Sequence, residues 1–177
     1  FTKLAFLFMG GAFLLLETKS IIQFSLLFGT TWLNSSLVFL AVLLLVLAAN
    51  WAAQLIRNPS LLRVFFLLLI LSSMATLIYP LSNLLSVQSQ LLRFLLASLM
   101  TFSPIFFANL IFSLSFRDQP VAEHIFGWNL IGAMIGGILE YASMALGYNM
   151  LAVVVALVYL LAGAMLFLAR RAEKGTA

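Results

Sequence analysis

WLNSSLVFLAVLLLVLAANWAAQLI, residues 32–56, decides the class of this protein. No Asp, Glu, Lys or Arg interrupts it. As a helix rising 1.5 Å per residue it is longer than the roughly 30 Å of hydrocarbon in a bilayer. It lacks the alternation of apolar and polar residues that marks a membrane strand. Immediately beyond it Arg57-Asn58-Pro59-Ser60 forms a polar turn, and Ser60 could cap the next helix.

The same pattern repeats in both directions. Apolar runs of spanning length occupy residues 4–28, 61–79, 90–116, 121–146 and 150–169. Between them lie Gly29-Thr30-Thr31, Pro80 with the loop 81–89, Arg117-Asp118-Gln119-Pro120, and Gly147-Tyr148-Asn149. The sequence therefore reads as all-α: a single domain, 1–177, forming a polytopic membrane bundle of six transmembrane helices.

Composition points the same way. Of 177 residues, 64% are hydrophobic and 8% charged, and the mean hydropathy is +1.18. A soluble domain carries about a quarter charged residues, so the solvent for this surface is lipid. A net charge of +4 is too small for a nucleic-acid patch, and the absence of Cys removes thiolate sites and disulfides. The single histidine, His124, stands beside Glu123 at a helix start, so no metal or cofactor is expected. The expected partners are the lipid bilayer and other membrane helices or subunits, with no nucleic acid.

Lys3 before the apolar run 4–16 has the outline of a signal peptide, but no Ala-x-Ala site comes after it and the run resumes at Ile21. One helix must then carry Glu17 and Lys19 into the bilayer. The chain begins at Phe1 and not Met, so a longer parent protein is expected.

Basic residues choose an orientation. In a six-span arrangement Lys3, Arg57, Arg63, Arg117, Arg170, Arg171 and Lys174 share one side, and only Arg93 falls near the other. By the positive-inside rule both termini face the cytoplasm, in a bacterial inner membrane.

Charged and amide groups inside such spans are the candidate functional residues. Glu17 and Lys19 lie two residues apart and point to different sides of helix 1. Lys19 matches Glu140 of helix 5 in depth to within about 4 Å, so a Lys19–Glu140 pair is expected, as a coupling site or a structural ion pair. Asn129, Gly132, Gly136, Glu140 and Ser143 share a face of helix 5, and Gly132-x-x-x-Gly136 permits close helix packing. Pro104 and Asn109 mark a possible kink in helix 4. Interhelical hydrogen bonding is the default for Gln23, Asn34 and Asn50.

Two stretches carry a family resemblance. Phe8-Met9-Gly10-Gly11-Ala12-Phe13-Leu14-Leu15-Leu16-Glu17-Thr18-Lys19-Ser20, with Leu27-Phe28-Gly29-Thr30-Thr31-Trp32 after it, is the first. Gly127-Trp128-Asn129-Leu130-Ile131-Gly132-Ala133-Met134-Ile135-Gly136-Gly137, with Glu140-Tyr141 and Gly147-Tyr148, is the second. Both resemble the membrane region of bacterial spermidine-synthase-like membrane proteins, which join major-facilitator-like helices to a methyltransferase-like domain. The resemblance implies a six-helix bundle comparable to half of a twelve-helix transporter. The Gly-rich loop and acidic residues of the synthase domain are not in this sequence, so no polyamine chemistry is implied for this segment. The Gly-and-Asp loop of many facilitators between helices 2 and 3 is replaced by Gln54-Leu55-Ile56-Arg57-Asn58-Pro59.

The leading expectation is thus a non-catalytic, transporter-like half or membrane module. The alternative is an accessory subunit of a larger membrane complex, and a cofactor-binding antenna is a distant third.

Overall fold

In the computed structural model, which describes residues 1–58, 60–117, 119–141, 143–144 and 147–175, every regular element is helical. Helices α1 (Thr2–Phe28), α2 (Trp32–Leu55), α3 (Leu61–Ile78), α4 (Gln90–Phe116), α5 (Ala122–Leu139) and α6 (Met150–Gly175) succeed one another in order. A 3₁₀ turn, Leu81–Ser86, precedes α4. Pro59 and Asp118, each in a break between helices, lie outside the described residues, as do 145–146 at the expected end of the fifth helix.

Local chemistry sets the ends. Gly29 terminates α1 at φ 91°, a backbone region closed to most side chains. The Thr31 hydroxyl accepts the Asn34 N–H at the start of α2, and Ser89 does the same for Leu92 at the start of α4. Asn34 also donates to the carbonyls of Phe28 (2.6 Å) and Gly29 (2.8 Å), tying the end of α1 to α2. Arg117 donates to the carbonyls of Ala53 and Ile56, so the last turn of α4 satisfies open acceptors at the end of α2.

Five helices, α1 to α4 and α6, are long and apolar enough to cross a membrane. Helix α5 is not among them. It has 18 residues and includes Glu123, His124, Asn129 and four glycines. The apolar run extends this helix to residue 146 by sequence. The structure ends it at Leu139 and puts Glu140 at the C-cap, followed by a turn. Helix α6, by contrast, continues to Gly175, beyond the expected end at residue 169.

The core is built around α1. Its residues Ala5, Phe6, Met9, Ala12, Leu15, Leu16 and Phe24 are buried, whereas α2 buries only Val38, Val42, Ala49 and Ala53. α2 presents Leu40, Leu43, Leu44 and Leu47 outward, as a helix in lipid can.

Helices adjacent in the chain mostly do not pack on each other. The extensive contacts are α1 with α5 and α6, α4 with α2 and α3, α1 with α4, and α3 with α6; of these only α3 with α4 is a sequential pair, and α1 with α2 adds a smaller contact. This pattern maps onto itself when α1, α2 and α3 exchange places with α4, α5 and α6. Helix directions obey the same exchange. α1 runs parallel to α5, pairing Phe6 with Asn129 near one end and Thr18 with Glu140 near the other. α2 runs parallel to α4, through Asn50 with Ser113 and Ala53 with Arg117. α1 and α4 are antiparallel: Phe6 meets Phe116 at one end, and Phe24 meets Phe94 at the other. The exchange fails at one place. The α1–α2 contact has no α4–α5 counterpart of comparable extent among the described residues.

Candidate functional site

Successive residues of α1 are turned by about 100°, so its polar residues address different neighbours. Leu7, Gly11, Leu14 and Thr18 recur at spacings of three and four and form one stripe, which faces α5. There the two backbones touch. A Cβ on Gly132 would collide with the carbonyl of Leu7, and one on Gly136 would lie 2.6 Å from the carbonyl oxygen of Gly11. Gly10 meets the Asn129 backbone in the same way. Lack of side chains on both helices permits this approach.

At the far end of this stripe Thr18 donates to the Glu140 carboxylate at 3.2 Å. Lys19, one position on, points elsewhere. Its ammonium donates to the Thr76 hydroxyl (2.7 Å) and the Ser73 carbonyl (3.5 Å) of α3, and only 2% of the residue is exposed. The expected Lys19–Glu140 pair is therefore corrected: the depths match, but the two residues meet different sides of α1. Glu17 is half-buried and has no hydrogen-bond partner among the described residues.

Ser20 addresses a third neighbour, α4. Its hydroxyl contacts the Leu16 carbonyl (2.8 Å) and the Thr101 carbonyl (3.3 Å). The hydroxyls of Ser73 and Thr101 and the Gln23 carbonyl oxygen are buried without partners among the described residues. Lys19 thus stands in a polar layer formed by α1, α3 and α4.

The remaining amides lie nearer the ends where α1 and α5 begin. Asn129 donates to the Phe6 carbonyl (3.0 Å), and Asn109 to the Ile105 carbonyl of its own helix (2.9 Å). Ile105 is the residue after Pro104, which lies inside α4. Both asparagines line a cavity of about 150 Å³ between α4 and α5, floored by α1, with Tyr159 of α6 in its wall. This cleft occupies the place where the α4–α5 contact is missing. Phe116 of α4 and Phe126 of α5 meet edge-on beside it, at 6.3 Å between ring centres.

The structure thus divides the expected polar site. Glu140 joins Thr18, Lys19 joins Ser73 and Thr76, and Asn109 and Asn129 share a separate cavity. Sequence reasoning misses Thr18, Ser73, Thr76 and Tyr159. Ser72-Ser73 and Thr76, three residues apart in an otherwise apolar helix, are the available signal. His124 is exposed at the start of α5, and among the described residues no group of three His, Cys, Asp or Glu could hold a metal. No family model, curated protein or solved structure matches this chain.

Proposed function

We propose that the chain is a six-span, inverted-repeat membrane module, equivalent to one half of a facilitator-like transporter and free of catalysis in this segment. The exchange pattern carries this reading. Two three-helix units that interlock as α1 with α5 and α4 with α2 have the arrangement of an inverted-topology repeat. An odd number of spans per unit turns the second unit upside down, which accounts for antiparallel α1 and α4. Parallel α1 and α5 likewise require α5 to cross in the same direction as α1. Its 18 residues reach about 27 Å, close to the roughly 30 Å of hydrocarbon in a bilayer.

This reading agrees with the resemblance to the membrane region of spermidine-synthase-like proteins. It also places Lys3, Arg57, Arg63, Arg117, Arg170 and Arg171 together on the cytoplasmic side. Arg117 against the end of α2, and Phe6 beside Phe116, support that grouping.

Cysteine labelling tests it directly, since the chain has no native Cys. In intact cells or oriented vesicles, Glu123→Cys and Tyr148→Cys should react from opposite faces with an impermeant maleimide. Reaction of both from one face would mean that α5 does not cross, and the inverted-repeat reading would fall.

A further inference from the structure

The cleft between α4 and α5 has the features of a binding site. Its volume is about 150 Å³. Apolar protein cavities of that size accept a benzene ring. This one is not wholly apolar: Asn109, Asn129 and Tyr159 line it. Asn109 and Asn129 each donate through Nδ2 to a backbone carbonyl, which can only accept. That fixes both amide orientations and leaves each Oδ1 without a protein donor among the described residues. The third group is Tyr159. It is only 1% exposed and lines the cavity. A phenolic hydroxyl can both donate to and accept from a ligand. The rings of Phe13, Phe112 and Phe126 supply the apolar part of the wall. Among the described residues no Asp, Glu, Lys or Arg lines the cavity.

We infer that this cleft binds a small neutral amphiphile: a single ring of about benzene size that carries a hydrogen-bond donor, of the phenol class. Two amide oxygens and a tyrosine hydroxyl present acceptors to the donor, and the phenylalanines enclose the ring. An ion would enter a site with no countercharge, at high desolvation cost. A plain hydrocarbon would leave the two amide oxygens unpaired. The inference rests on the cavity and not on the transporter reading, so labelling of α5 and binding in the cleft can fail separately.

The test uses the full chain in lipid nanodiscs with 4-fluorophenol, followed by fluorine NMR, and fluorobenzene as the partner probe without a donor. Fluorophenol should show a saturable bound component above its partition into lipid. Tyr159→Phe keeps the ring and removes the hydroxyl, and it should weaken that component about fivefold. Ala133→Leu places a larger side chain at the cavity wall and should abolish the component. Retained elution as a single species shows that each variant is folded, and Tyr159→Phe serves alone where Ala133→Leu is not. A parent protein without a saturable component would overturn the inference. So would fluorobenzene binding equal to fluorophenol, which would mark the cleft as an apolar void, or binding unchanged in Tyr159→Phe.

Discussion

Lys19 shows how a single residue's neighbours are chosen by angle as much as by depth. Glu140 lies at a matching level, yet it accepts from Thr18, about 100° round the helix from Lys19. The ammonium depends instead on Thr76 and the Ser73 carbonyl, 2.7 and 3.5 Å away. Thr76→Val, which nearly preserves shape, removes the shorter bond and leaves a buried donor short of an acceptor. Thermal unfolding in detergent should show a loss of about 1–3 kcal/mol. Adding Lys19→Met should recover part of that loss, because the stranded group is then gone. A Thr76→Val protein as stable as the parent would mean that Lys19 has another acceptor. Glu140→Gln should cost less than Thr76→Val, since Glu140 is only half-buried and an amide oxygen can still accept from Thr18.

At the scale of elements the α1–α5 pair is the most constrained. Gly10, Gly11, Gly132 and Gly136 bring backbone against backbone, so even one methyl group at Gly132 meets the Leu7 carbonyl and not a side chain that can turn aside. Gly132→Ala should therefore destabilise the protein by about 1–3 kcal/mol, measured as a fall in midpoint temperature and in monodisperse yield. Gly127 offers an internal control on the same helix. A Cβ there meets nothing within 4 Å, and Gly127→Ala should be neutral or slightly stabilising. Equal behaviour of the two variants would count against close α1–α5 packing. Arg117 gives the corresponding link between α4 and α2. Arg117→Ala should loosen the end of α2, seen as faster amide exchange near Ala53 and Ile56.

The whole molecule is interlaced. Contacts of α1 with α5 and α6, and of α4 with α2 and α3, all cross between the first three helices and the last three. Within either triplet only α1 and α2 make a notable contact among the described residues. Neither triplet can cover its polar groups and small-residue faces alone. Residues 1–86 and 87–177 expressed separately should be degraded or aggregate, whereas co-expression should let a tag on one recover the other in equal amount. A first triplet that is monodisperse by itself would show that the bundle is not assembled by interlacing.

Helical structure is legible in the sequence because it depends on local quantities. Uninterrupted apolar runs such as residues 32–56 leave a helix as the structure that satisfies its own backbone in lipid, and Gly29, Ser89 and Pro80 punctuate the runs through local geometry. Small residues at 132 and 136 likewise announce a close packing face. The end of α5 is less legible, since the apolar run continues past Leu139 while the helix does not. Partner choice is not legible at all. It depends on which helix faces each side of α1, and chain neighbours are usually the first guess, while here most contacts skip them, α3 with α4 being the main exception. Only the tertiary arrangement separates Lys19 from Glu140, joins it to Thr76, and opens between α4 and α5 the cleft that Asn109, Asn129 and Tyr159 share. Those residues lie far apart in the chain, and a contact between them is fixed by the relative rotation and direction of whole helices, a quantity that no single segment encodes.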